Sequence, residues 1–254
     1  MITDCITFFN GLDILEIRLN SLAPYVDRFV IVESPYNMVC KKKPLHFSDN
    51  KERFKDFNIT HLVVEDHEKH MGGWTPYWYQ IDYMMRALSD LEPNDMVMLS
   101  DFDEIPNMEN YDKVEGVFRQ KLYYYYLDVF TGNNRWKGTR VLKKKNIISL
   151  SKMREARNRD MVIGDGWHFS YVCSVEDIID KIESFCHQEL NTEDIKEKVA
   201  KNKANLVDPF NRNNKKYIIE MPSGPKWLLE NREKYKNLFY GNQEWRKYWN
   251  SFLT

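Results

Sequence analysis

Apolar residues in this chain fall into short unbroken runs separated by stretches with a helical repeat. Cys5 to Phe9 reads as a strand. Asn10, with Asp13 three residues on, offers an imperfect capping box. Leu12, Leu15, Leu19 and Leu22 then share one helical face as far as Pro24. Arg28 to Glu33 is a second strand, so strand, helix and strand follow within about 30 residues, as in a right-handed βαβ unit. His61 to Glu65 is a third strand. A turn at Met71 to Pro76 and a helix from about Tyr77 to Leu91 lead to Met96–Leu99, an apolar run bounded by Pro93-Asn94-Asp95. Such a run suits a strand buried on both faces of a parallel sheet.

The second half is less regular. Lys121 to Phe130 reads as a tyrosine-rich strand, and Gly138 to Lys144 as its antiparallel partner. Ser151 to Asp160 is a charged segment, and Gly164 to Ser170 a loop opening into a short strand. Glu176 to Phe185 and about Thr192 to Asn202 are helical. A tail from Pro225, carrying Trp227, Tyr235, Phe239, Trp245 and Trp249, is expected to pack back as helices. The fold class is therefore α/β, in one domain: alternating strands and helices over about 1–110, a less regular part over 111–190 and a helical region over 191–254.

Candidate chemistry gathers just past Met96–Leu99. Asp101, Asp103 and Glu104 arrive within four residues, and in extended chain Asp101 and Asp103 point to the same side. Two carboxylates about 4 Å apart repel by roughly 4 kcal/mol at an effective dielectric near 20. They need a cation, a proton or open water. Ligands of open α/β sheets bind beyond the carboxyl ends of the strands, where hard oxygens suit a divalent metal. Turn capping is the plainer alternative.

Composition narrows the classes. The 254 residues carry a formal net charge of -1, which gives no global attraction for nucleic acid or anionic membrane. The 7 Trp and 15 Tyr supply faces for sugars or for a core. Four scattered cysteines form no C-x-x-C pair and read as free thiols. With neither a leader-like segment nor a membrane-length apolar run, the chain is expected to be cytoplasmic, without a membrane span. Walker-type and dinucleotide-binding glycine loops are missing, as is a serine nucleophile elbow. What remains is a metal-using, nucleotide-dependent transferase.

Five segments then carry a resemblance: Asn10 to Leu22, Val26 to Ser34, Lys43-Pro44-Leu45-His46-Phe47, Ser100-Asp101-Phe102-Asp103-Glu104-Ile105-Pro106, and Gly166-Trp167-His168-Phe169-Ser170. In this order they resemble glycosyltransferase family 17, in its compact bacterial or viral form. The resemblance implies a GT-A-like fold and an inverting transfer of a sugar, GlcNAc first among them. It implies a nucleotide-sugar donor, UDP-linked, a glycan or glycoprotein acceptor, and Mn²⁺ or Mg²⁺. It makes Asp103 the metal ligand, with Asp101 on the metal, the ribose or the donor sugar.

The residues suggest further roles. His168 is a candidate third ligand, or a core histidine. Phe9, Asn10 and Glu33 end strands where a donor nucleotide would lie, although Glu33 could instead pair with Arg18 or Arg28. Gln80 and Arg86 are candidate donor contacts, and Arg154 or Arg157 could grip a diphosphate. An inverting transfer needs a general base. Asp165, Glu104 and Asp128 compete for it, with Asp165 preferred. Trp136 and Trp167 are candidate acceptor platforms, with core packing as the alternative. Two competing readings are a nucleotidyltransferase that makes a nucleotide sugar and a non-catalytic carbohydrate-binding protein.

Overall fold

The computed structural model describes residues 1–66, 72–212 and 215–241. The chain opens with β1 (Ile2–Thr7), α1 (Leu12–Leu22), β2 (Arg28–Glu33), β3 (Ile59–Val63), α2 (Thr75–Tyr83) and β4 (Met96–Asp101). It continues with β5 (Glu104–Pro106), β6 (Gly116–Tyr124), β7 (Val129–Phe130), β8 (Trp136–Lys143), α3 (Leu150–Glu155) and β9 (Val162–Ser170). It closes with α4 (Val175–Ser184), α5 (Glu193–Asn205), β10 (Ile218–Ile219) and α6 (Lys226–Glu230).

These strands make one sheet in the order β10-β7-β6-β8-β4-β1-β2-β3, with β9 paired to β6 and β5. The fold is α/β, as expected. β3, β2, β1 and β4 are mutually parallel. Beyond β4 the sheet turns antiparallel at β8 and β6, and β9 runs parallel to β6. The strand order reverses direction between β1 and β4, where Thr7 pairs with Asp101. This is the switch point at which such sheets open a crevice.

The buried strands follow the apolar runs, with instructive exceptions. β1 starts at Ile2 rather than Cys5, because Thr3 and Asp4 are buried too. Arg18 on α1 makes this possible, as it reaches in to neutralise Asp4. α1 begins at Gly11, whose φ is +94°, and no side chain caps it, so the expected Asn10–Asp13 box does not form. A Cβ on Gly11 would lie 3.0 Å from the Phe102 ring, and the positive φ further favours glycine. The tyrosine-rich strand breaks after Tyr124, where Tyr125 adopts φ +69° and its buried hydroxyl donates to the Val207 carbonyl at 2.8 Å.

Gly164 and Gly166 are expected in a loop, but both stand inside β9. A Cβ on Gly166 would sit 2.4 Å from the Ile105 carbonyl oxygen, and one on Gly164 2.6 Å from the Phe118 ring. They allow close strand approach. The helix expected to run to Leu91 ends at Tyr83 and continues as a 3₁₀ turn, Met84–Leu88. Of the expected tail, α6 and the Trp227–Tyr235 ring contact are formed. Trp245, Trp249 and the Met71 end of the predicted turn lie outside the described residues. Among the described residues no disulfide forms, and no helix is long and apolar enough to cross a membrane.

Candidate active site

The acids lie at the carboxyl end of β4, beside the carboxyl end of β1. Arg18 fixes the turn that carries them. Its guanidinium holds Asp4 by two bonds (2.8 and 2.7 Å) and donates to the Ser100 hydroxyl at 2.7 Å. It also donates to the Glu104 carbonyl at 2.6 Å and, more weakly, to those of Asp101 and Phe102. Arg18 and Asp4 are both fully buried. An ion pair at such depth costs desolvation, which these extra bonds offset. The expected Glu33 pairings with Arg18 or Arg28 do not form, since Arg28 pairs with Asp90.

Behind the turn, the three acids separate. Glu104 is fully buried and accepts four hydrogen bonds. Oε1 takes the Trp136 indole N–H (2.6 Å) and Arg154 Nη2 (2.8 Å), while Oε2 takes Arg154 Nη1 (2.6 Å) and the Asp101 amide (3.0 Å). Burial alone would raise its pKa, but the Arg154 guanidinium lowers it to about 2. An anion so fully bonded has no lone pair left for an acceptor proton. Glu104 therefore positions Arg154 and Trp136 rather than acting as the expected base.

Arg154 is spent as well. Nε donates to the Tyr77 hydroxyl oxygen, Nη1 also to the Gly138 carbonyl, and Nη2 also to Asp101 Oδ2 at 2.6 Å. All five donors are engaged, so the expected diphosphate contact has nothing to offer. Asp101 takes Arg154 on one oxygen and the Tyr77 hydroxyl on the other. Burial and the neighbouring carboxylates outweigh Arg154 and keep its pKa above the ordinary value. Arg154 and Tyr77 thus take one lone pair on each Asp101 oxygen, and the Asp101 side chain stays 33% exposed.

Asp103 turns the other way. Oδ1 lies 3.5 Å from His168 Nε2, and Oδ2 accepts from Lys181 Nζ at 3.3 Å. Burial alone would raise its pKa, but Lys181 and His168 together hold it well below the carboxylate range. The His168 ring packs on Trp136 at 5.0 Å, and its buried Nδ1 has no hydrogen-bond partner among the described residues. Among the described residues no three His, Cys, Asp or Glu side chains gather as a ligand set. A divalent ion with bonds of about 2.1 Å places neighbouring ligand atoms roughly 3.0–3.5 Å apart, and Mg²⁺-type sites use one or two carboxylates plus substrate phosphate. Asp103 could supply such a carboxylate, with the His168 nitrogen 3.5 Å from it as a further donor.

The other expected residues divide sharply. Phe9 and Asn10 lie at the carboxyl end of β1, half-buried, where Phe9 meets His46 (6.3 Å) and the Lys43 ammonium (5.5 Å). Glu33 is consumed by the Phe47 and Ser48 amides and by His61, so its carboxylate anchors a loop. Gln80 is buried in α2. Arg86 pairs with Asp66 and covers the Tyr83 ring, without contact to the acids. Asp165 is exposed and shares its face of β9 with Trp167, opposite Gly166 and His168. That removes it as the base beside this site. Asp128 is buried and accepts the Tyr240 and Gly241 amides. Trp136 belongs to the site. Trp167 instead donates to Ser223 at 3.1 Å and lines a separate cavity of about 900 Å³ between the far end of α1 and α6.

Sequence reasoning missed Arg18, Tyr77 and Lys181. Lys181 had one faint signal: it falls three residues after Ile178 and one before Ile182, on the flank of the buried stripe of α4.

A family model described as Glycosyltransferase family 17 matches residues 1–246, and the chain belongs to that family. Two curated relatives carry the name beta-1,4-mannosyl-glycoprotein 4-beta-N-acetylglucosaminyltransferase. The rat protein is 28% identical over 132 residues, covering 48% of this chain and 23% of its own length. The human protein is 30% identical over 121 residues, covering 44% and 22%. The matched part is thus less than a quarter of those relatives. Among solved structures, the inositol-1-phosphate CTP transferase from T. maritima aligns with a TM-score of 0.36 and 14% identity, covering 66% of this chain and 86% of its own.

Proposed function

We propose that this member of the family is a metal-dependent, inverting glycosyltransferase that moves a sugar, GlcNAc first among the candidates, from a UDP-linked donor to a glycan hydroxyl. The observation that carries the reading is the meeting of Asp103 and His168 at the β1–β4 switch point. Three carboxylates there face Arg154 and Lys181, with Arg157 near enough to act on Glu104, so the protein's own charges roughly cancel. A dianionic ligand gains no net attraction there unless a further cation comes with it.

Asp103 and His168 would hold the divalent ion. When bound, Mn²⁺ or Mg²⁺ supplies charge neutralisation for the departing diphosphate. The protein's own part is positional. Arg18 and Glu104 hold the acid turn rigid, and Trp136 presses on the His168 ring. Phe9 and Asn10 border the place where the nucleoside enters.

Calorimetric titration with UDP-GlcNAc, with other nucleotide sugars as alternatives, tests this with and without Mn²⁺. Tight binding only with metal is expected, lost in Asp103→Asn, and NMR of the product should show an inverted anomer. Metal-independent binding, or an Asp103→Asn variant transferring sugar at the native rate, would overturn it.

A further inference from the structure

The two cations beside the acids are not equivalent. Arg154 has spent all five of its donors inside the protein. Lys181 carries three N–H donors, and among the described residues it makes one hydrogen bond, to Asp103 Oδ2. The ammonium otherwise lies against the Tyr171 ring at 4.9 Å and the Phe102 ring at 6.0 Å. Those faces attract a cation but satisfy no full hydrogen bond. Its side chain is 25% exposed, so one side opens outward.

A mostly buried ammonium with unspent donors is costly in isolation and suited to an anion. It lies against Phe102, the residue between the two aspartates, just past the carboxyl end of β4. Phosphate oxygens meet lysine as a point charge. We propose that Lys181 is the residue that grips the diphosphate of the donor, a role expected on sequence grounds of Arg154 or Arg157; Arg157 is turned to the Lys137 and Arg154 carbonyls and the Trp136 ring. The assignment rests on the nucleotide-sugar reading above and names the side chain that binds the phosphates.

Binding of UDP, UMP and uridine, each with Mn²⁺, is measured by calorimetry for the native protein, Lys181→Met, Lys181→Gln and Lys181→Arg, with CDP, GDP, ADP and their nucleosides as parallel series. Removing Lys181 should weaken diphosphate binding roughly 10- to 100-fold while nucleoside binding stays within about twofold. Lys181→Arg should recover part of the loss. Lys181→Gln keeps a donor for Asp103 without the charge, so it gives the same answer if the methionine variant fails to fold. A purely structural lysine would weaken nucleoside and diphosphate alike, and an unchanged ratio of the two affinities overturns the assignment. If the native protein binds none of the four nucleoside diphosphates, the nucleotide-sugar reading falls and this assignment with it.

Discussion

Replacing Glu104 by glutamine separates a structural carboxylate from a catalytic one. The shape is nearly unchanged, but the amide can accept hydrogen bonds only at its oxygen. In the native protein each carboxylate oxygen accepts two donors. Whichever position becomes NH₂ then confronts two donors with a third. Two hydrogen bonds are lost, at least one of them to the Arg154 guanidinium, and bonds to charged groups are worth about 1.5–3 kcal/mol each. Arg154 also keeps only Asp101 as a counter-ion, and breaking a buried pair costs about 3–5 kcal/mol. The two routes describe the same loss, so the expected destabilisation is about 3–5 kcal/mol in all. For a chain of this size that lowers Tm by roughly 6–20 °C. Differential scanning calorimetry and urea unfolding measure it. A Glu104→Gln protein that melts with the native one yet has lost turnover would refute the reasoning and return Glu104 to the role of base.

Arg18→Met should cost about 3–5 kcal/mol by leaving Asp4 buried and unpaired, and should weaken donor binding because three carbonyls of the acid turn lose their anchor; urea unfolding and calorimetry read the two effects. Gly138→Ala places a Cβ 1.7 Å from Gln120 Oε1 and 3.1 Å from Glu104 Cδ, so it should destabilise by about 1–3 kcal/mol through overpacking and perturb Trp136 fluorescence. Glu104, at about 2 instead of its ordinary 4.5, contributes stability that is complete above about pH 4.5 and disappears as pH falls towards 2, about 3 kcal/mol for the full shift. Asp103 and Glu33, also depressed, act in the same direction, while Asp101, raised, opposes them. Urea midpoints should therefore fall from pH 7 to pH 3, and fall less in Glu104→Gln.

The parallel half of the sheet was legible because strands buried on both faces leave continuous apolar runs, as in Phe29–Val32 and Met96–Leu99. The place of the acids was legible for the same reason: a buried strand must end, and the residues after its last apolar position lie at the sheet's carboxyl edge. The fates of individual charges were not. Asp4 has the look of a polar loop residue until Arg18, 14 residues later, covers it. The glycines of β9 resemble a turn because the sequence does not say whether a missing Cβ frees the backbone or admits a neighbour. Asp103 and Glu104 are adjacent and chemically alike, yet one meets Lys181 and His168 while the other is sealed by four donors. Which acid stays available depends on partners 32, 50 and 78 residues away, Trp136, Arg154 and Lys181. No local period records such distant pairings. A carboxylate's chemistry here is set by the number of donors the fold brings to it, and that number exists only once β8, α3 and α4 have closed around the turn.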